Sequence, residues 1–224
     1  MRSARIVPVI AVIVGASLLA SEPGAGADGA GKRHLIYLHG RIVQAEQSAR
    51  PEHPRFGHYE LEAILQAFRD RGFAVTGEIR PRDASVGDAA DRVVVRVREL
   101  LASGVPADHV SVVGASMGAG IALVAAARLQ ESQVRYALLG ACLSPNVRRL
   151  AAEEGKPPSG RVLSIREASD ELTEPCAAWT EEDGAVPSLK VREIRLETGL
   201  AHGFLYRPLR EWVDPVVDWV STAG

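Results

Sequence analysis

One serine has neighbours that suit it to nucleophilic chemistry. Ser116 lies in Gly114-Ala115-Ser116-Met117-Gly118, a G-x-S-x-G run. Alone the pattern is weak, because glycine and serine are common. Its placement sharpens it: the apolar run VSVV ends at Val113, and the small-residue run GAGIALVAAARL begins at Gly118. A serine on a sharp strand-to-helix turn is held in a strained conformation with its hydroxyl exposed, and residues two positions away need almost no side chain. The helix N-terminus below it favours negative charge. A phosphate cradle is the competing reading, but it would want the lysine of G-x-x-x-x-G-K, and none follows.

A hydroxyl nucleophile needs a base, and the base needs an orienting acid. Of the six histidines, only His202 follows Ser116, in the glycine-flanked run TGLAHGF. No aspartate occurs between Ser116 and Asp170, which lies just beyond an apolar run in VLSIREASDEL. Asp170 is therefore the candidate acid. Glu167, nearer the end of that run, and Glu171 compete with it. For all three the bland alternative is a surface carboxylate making local hydrogen bonds; on that reading Glu167→Gln costs about tenfold or less. An oxyanion also needs donors. The backbone N–H of Met117 is one candidate; that of Arg41, following His39-Gly40, is a second, with Ile42 as the alternative. His39 itself suits a structural hydrogen bond.

These residues must be carried by a repeating frame. Residues 34–38 (HLIYL) form a compact apolar strand, 59–71 a helix stopped by Gly72, and 74–79 a second strand. Residues 88–102 predict a helix buried along Val93, Val94, Val97, Leu100 and Leu101. Strands are then expected at 110–113, 136–143, 162–165 and 191–196, with a closing helix over 205–220 interrupted by Pro208 and Pro215. Regular alternation of this kind argues for a mostly parallel sheet with helices on both faces. Such sheets present their chemistry at the carboxyl ends of the strands.

The chain has 224 residues with a net charge of -2, enough for one domain and without the basic excess that nucleic-acid binding requires. No metal-ligand cluster stands out, and no cofactor is implied. Arg2 and Arg5 precede an apolar run over 6–20, and Ala25-Gly26-Ala27 offers a small-residue cleavage site, with Ala20 an earlier one. This is the layout of a secretory signal over residues 1–27, leaving a mature domain of 28–224. The run falls short of the roughly 20 residues that span a bilayer, so no stable membrane anchor is expected after cleavage. A periplasmic or secreted location follows, where an even cysteine count favours a disulfide.

Taken together, HLIYLHG, VVGASMG, VLSIREASDEL and TGLAHGF resemble the α/β-hydrolase superfamily over essentially the whole mature chain. The last two runs are similar to small bacterial hydrolases of unassigned substrate. The resemblance implies a minimal α/β-hydrolase fold of six strands in the order 2-1-3-4-5-6. Only residues 28–33 precede the first strand, where relatives carry two more. It also implies no large cap domain, since residues 144–160 are all that follow the fourth strand. In that order Cys142 and Cys176 emerge at the same edge of neighbouring strands, and a bridge between them would be worth roughly 3–4 kcal/mol.

The resemblance further implies a serine hydrolase acting on carboxylic esters, small or polymer-borne, with Ser116, Asp170 and His202 as the triad. A peptidase or amidase on the same triad, or a binding module retaining the fold, are the alternatives. Substrate identity is not legible in these residues.

Overall fold

The computed structural model describes residues 31–140, 149, 153–173 and 189–222. The expected leader over 1–27 and the expected Cys142–Cys176 bridge both lie outside the described residues.

Six strands make one sheet: β1 (His34–Leu38), β4 (Ala74–Thr76), β5 (Val110–Ala115), β6 (Arg135–Leu139), β7 (Gly160–Glu167) and β8 (Leu189–Leu196). Their order is β4-β1-β5-β6-β7-β8, which is 2-1-3-4-5-6 when these six are counted alone. Every neighbouring pair is parallel. Between β1 and β4 lie a short helix α1 (Arg41–Glu46), a separate antiparallel hairpin of β2 (Glu52–His53) and β3 (Gly57–His58), and helix α2 (Leu61–Arg69). Neither α1 nor the hairpin is foreseen by periodicity, because each is too short to show one.

Alternation along the strands divides the interior into two layers. Ile36, Leu38, Val110, Val112, Tyr136 and Leu138 face α3 (Val86–Ala102) and α4 (Met117–Leu129). Leu35, Tyr37, Val113, Ala115, Ala137 and Leu139 face α2 and α5 (Arg210–Ser221), where Trp212 is fully enclosed. Successive strand residues point to opposite faces, so one apolar run serves both cores. Burying a side chain of this size is worth roughly 1.5–3 kcal/mol. Helix α3 opens on a capping box, with the Ser85 hydroxyl accepting from the Asp88 amide and the Asp88 carboxylate accepting from the Ser85 amide.

Three boundaries differ from the sequence expectation by three residues or more. Strand β4 ends at Thr76, because the chain turns inward to bring Arg80 against His39. Strand β6 ends at Leu139, where Gly140 takes a φ of 59° and the ladder stops. The closing helix begins only at Arg210, after a 3₁₀ segment over Ala201–Tyr206 that carries His202. Pro208 lies ahead of that helix and Pro215 within it. No described helix is long and apolar enough to cross a membrane.

Candidate active site

Helix α4 begins one residue after Ser116, and the turn between them is tight. Ser116 has φ 52° and ψ -119°, a conformation that side-chain-bearing residues rarely adopt. Such strain costs on the order of 1–3 kcal/mol and persists only where the surroundings impose it. Here the Ser116 amide donates to the Leu139 carbonyl at 2.8 Å, and its carbonyl accepts from the Ala119 amide at 2.9 Å. A Cβ on Gly114 would collide with the carbonyl of Gly118, and one on Gly118 with the carbonyl of Leu38. Both glycines are therefore fixed by close backbone approach, as the G-x-S-x-G reading requires.

From this turn the Ser116 hydroxyl reaches His202 Nε2 at 2.9 Å. His202 Nδ1 lies 2.7 Å from Asp170 Oδ2. The Asp170 side chain is 1% exposed and that of His202 12%. The other oxygen of Asp170 accepts from the Leu172 amide at 3.1 Å. One imidazole nitrogen thus faces the carboxylate and the other the hydroxyl, which fixes the proton on Nδ1 when the ring is neutral.

Glu167, the competing acid, is the last residue of β7 and is 1% exposed. It makes no bond to His202 among the described residues. Nor is it a plain surface carboxylate: it accepts five hydrogen bonds from Ser169, Thr198 and Gly199. Burial pushes its pKa upward, but the bonds from Ser169, Thr198 and Gly199 more than offset that and bring it to about 2. Glu171 is exposed and borders the hollow beside His202.

The candidate oxyanion donors come from two helix starts. Met117 is the first residue of α4 and Arg41 the first of α1, so neither amide has an acceptor within its helix. A Cβ on Gly40 would lie 3.6 Å from Ser116 Cβ, which puts the Gly40–Arg41 peptide beside Ser116. Ile42 is one residue deeper in α1. The Arg41 side chain is exposed.

A buried network holds that peptide. His39, fully buried, donates from Nδ1 to the Gly40 carbonyl at 2.9 Å, and its Nε2 accepts from the Arg80 amide at 3.2 Å. The carbonyl and amide of one trans peptide point opposite ways, so the Arg41 N–H is turned away from His39. Burial first, and then the charge of Arg80, hold the His39 pKa down to about 4; the ring is neutral, as an accepting Nε2 requires. Arg80 itself is buried, donating to the His39 carbonyl at 2.6 Å and to Gln44 at 3.0 Å. Burial draws its pKa to about 10, and it remains a cation at neutral pH. Sequence reasoning missed Arg80: an arginine in GEIRPR reads as solvated.

The mouth is walled by the β2–β3 hairpin. Phe56 stands between the strands with His53 stacked on it at 4.6 Å and the Arg55 guanidinium 5.4 Å from its centroid. A hollow of about 240 Å³ borders His53, Arg55, Phe56, Leu172 and His202. Among the described residues no group of three or more His, Cys, Asp or Glu could hold a metal ion.

The chain is similar in fold to solved structures of esterases and other hydrolases. A hyperthermophilic esterase from the archaeon Pyrobaculum calidifontis is 19% identical, with 85% of this chain and 76% of that one covered and a TM-score of 0.52. The chain has the α/β-hydrolase fold. EstE1, a thermostable carboxylesterase cloned from a metagenomic library, is 16% identical over 85% of this chain and 79% of its own, with a TM-score of 0.51. A YdeN-like hydrolase from Pectobacterium atrosepticum is 15% identical over 86% and 93%, again at 0.51. No protein-family model matches the sequence, and no curated protein does. Within the α/β-hydrolase fold this chain is compact: among the described residues no cap domain covers the carboxyl edge of the sheet.

Proposed function

We propose that the protein is a serine hydrolase that cleaves carboxylic esters through an acyl-enzyme. The observation that carries this reading is the unbroken chain from Ser116 Oγ to His202 Nε2 at 2.9 Å and from His202 Nδ1 to Asp170 Oδ2 at 2.7 Å. Ser116 attacks the carbonyl carbon of the ester while His202 Nε2 accepts the hydroxyl proton. The developing oxyanion is held by the Met117 and Arg41 amides, whose place at two helix starts costs no reorganisation. Asp170 stabilises the imidazolium and keeps its tautomer. The leaving alcohol takes the proton from His202, and water, deprotonated by the same nitrogen, releases the acid and restores Ser116.

Esters are favoured over amides because the site is open and because solved structures of similar fold include esterases. A fluorophosphonate should label Ser116 in the wild type and fail to label Ser116→Ala. Nitrophenyl esters of graded acyl length, run beside matched anilides, should then show ester turnover ahead by orders of magnitude. Comparable rates on the anilides would replace the ester reading with a peptidase or amidase. An intact protein that neither labels nor turns over any ester would be a binding module.

A further inference from the structure

We propose that Glu167 is a positioning residue of the triad, its buried carboxylate tying the turn that carries Asp170 to the loop that carries His202. This rests on the reading of Ser116, His202 and Asp170 as the reacting groups. Glu167 Oε1 accepts from the Ser169 amide at 3.1 Å, the Ser169 hydroxyl at 2.8 Å and the Gly199 amide at 3.1 Å. Oε2 accepts from the Thr198 amide at 3.0 Å and the Thr198 hydroxyl at 3.3 Å. The two hydroxyls pass the tether on. Ser169 Oγ accepts from the Ala201 amide at 3.2 Å, and Thr198 Oγ1 from the Leu200 amide at 3.3 Å.

Four consecutive amides, Thr198 to Ala201, therefore end on Glu167 or on a hydroxyl bonded to it, and His202 is the next residue. Beyond Leu196 this segment has left the sheet: the β7–β8 pairing stops at Glu167 and Leu196. Over 198–201 the side-chain bonds that set its path converge on this one carboxylate, while the Asp170 contact and the buried Phe204, Leu205 and Tyr206 hold the chain from His202 onward. Ala201 also has a φ of 48°, a conformation that needs outside support. No ion pair to Glu167 occurs among the described residues, so donor dipoles alone balance its charge. A buried anion satisfied this fully is fixed in place, and each donor it fixes is fixed in turn.

An amide cannot replace it. In Gln the NH₂ group must face the amides of Ser169 and Gly199 on one side or that of Thr198 on the other; a hydroxyl can turn to accept from it, but at least one backbone N–H is left opposed by another donor. The side chain keeps its size, so the sheet is undisturbed while the loop slackens. A displacement of about 1 Å at His202 is worth on the order of 10²-fold in rate.

The test compares wild type with Glu167→Gln, Ser169→Ala and Thr198→Val on one activated ester, with sites counted by exhaustive fluorophosphonate labelling. Glu167→Gln should lower kcat per labelled site by on the order of 10²-fold and leave KM within about threefold. Ser169→Ala, which removes one of the five donors to Glu167 together with the link to Ala201, should lower it by about tenfold. Should Glu167→Gln fail to fold, the two hydroxyl variants decide by the same measurements. Folded variants with wild-type kcat per labelled site would overturn the proposal while leaving the hydrolase reading intact. A wild type that neither labels nor hydrolyses defeats that reading, and this one with it.

Discussion

Asp170 and His202 meet at 2.7 Å, across a chain separation of 32 residues and between two loops that leave the sheet side by side. Glu167 precedes Asp170 by only three residues, yet its carboxylate points to Thr198 and Gly199 instead. A residue at the strand end lies within reach of the neighbouring loop's backbone; one in the turn beyond can reach over to the imidazole.

That geometry predicts a division of effects. Asp170→Asn should keep the fold and leave His202 in the wrong tautomer, with a loss in kcat on the order of 10⁴-fold. Steady-state kinetics on an activated ester, with a thermal melt to confirm folding, measure it. A loss under tenfold would remove Asp170 from the triad.

Arg80 is expected to matter without touching substrate. Arg80→Met keeps the amide that meets His39 Nε2 but frees the His39 carbonyl and the side-chain oxygen of Gln44. The Gly40–Arg41 peptide loosens, and kcat should fall roughly tenfold with KM little changed, less than the 10²–10³ for loss of a whole oxyanion donor. Equal kcat in a folded variant would show that Arg41 is not a donor.

Acid should destabilise the fold in two stages. His39 has a folded pKa of about 4 against an ordinary 6.5, so the unfolded chain binds the extra proton and stability falls as pH drops from about 6.5 to 4. Glu167, at about 2 against 4.5, contributes stability that is present above 4.5 and lost as pH falls towards 2. Each stage is worth about 3 kcal/mol. Urea unfolding at a series of pH values checks both; His39→Gln should flatten the upper stage and Glu167→Gln the lower.

Gly118→Ala should be among the most damaging single-methyl changes in the chain. The added carbon would meet the carbonyl of Leu38, part of β1, and neither backbone can give way. Overpacking of this kind costs typically 1–3 kcal/mol or more. The variant should melt several degrees below wild type and label slowly with fluorophosphonate; an unchanged melt would contradict the packing at the turn.

Much of this was open to reading in the residues. The pattern HLIYL predicts β1 to the residue, because a strand buried on both faces needs an apolar side chain at nearly every position. That Ser116 and His202 would meet was legible from motif and order alone. Asp170 was preferred over Glu167 and Glu171 because it lies in the turn beyond the strand, and it is the carboxylate that reaches His202. What stayed hidden was the role of buried polar groups. Arg80 looks solvated in sequence and Glu167 reads as a competing acid or a surface carboxylate; only three-dimensional contact shows that one holds His39 and the other the loop before His202. The hairpin with Phe56 escaped for a different reason: two-residue strands carry no periodicity.

The hydrogen bond between Ser116 and His202 joins residues 86 positions apart. It can form only after β5, β6, β7 and β8 have all docked, since each successive strand carries the chain one step further along the sheet edge. Contacts so remote in sequence are slow to close. During renaturation from denaturant, then, helical signal and tryptophan burial should recover ahead of ester turnover. Enzymatic activity would serve as a clock for the last event of assembly rather than the first.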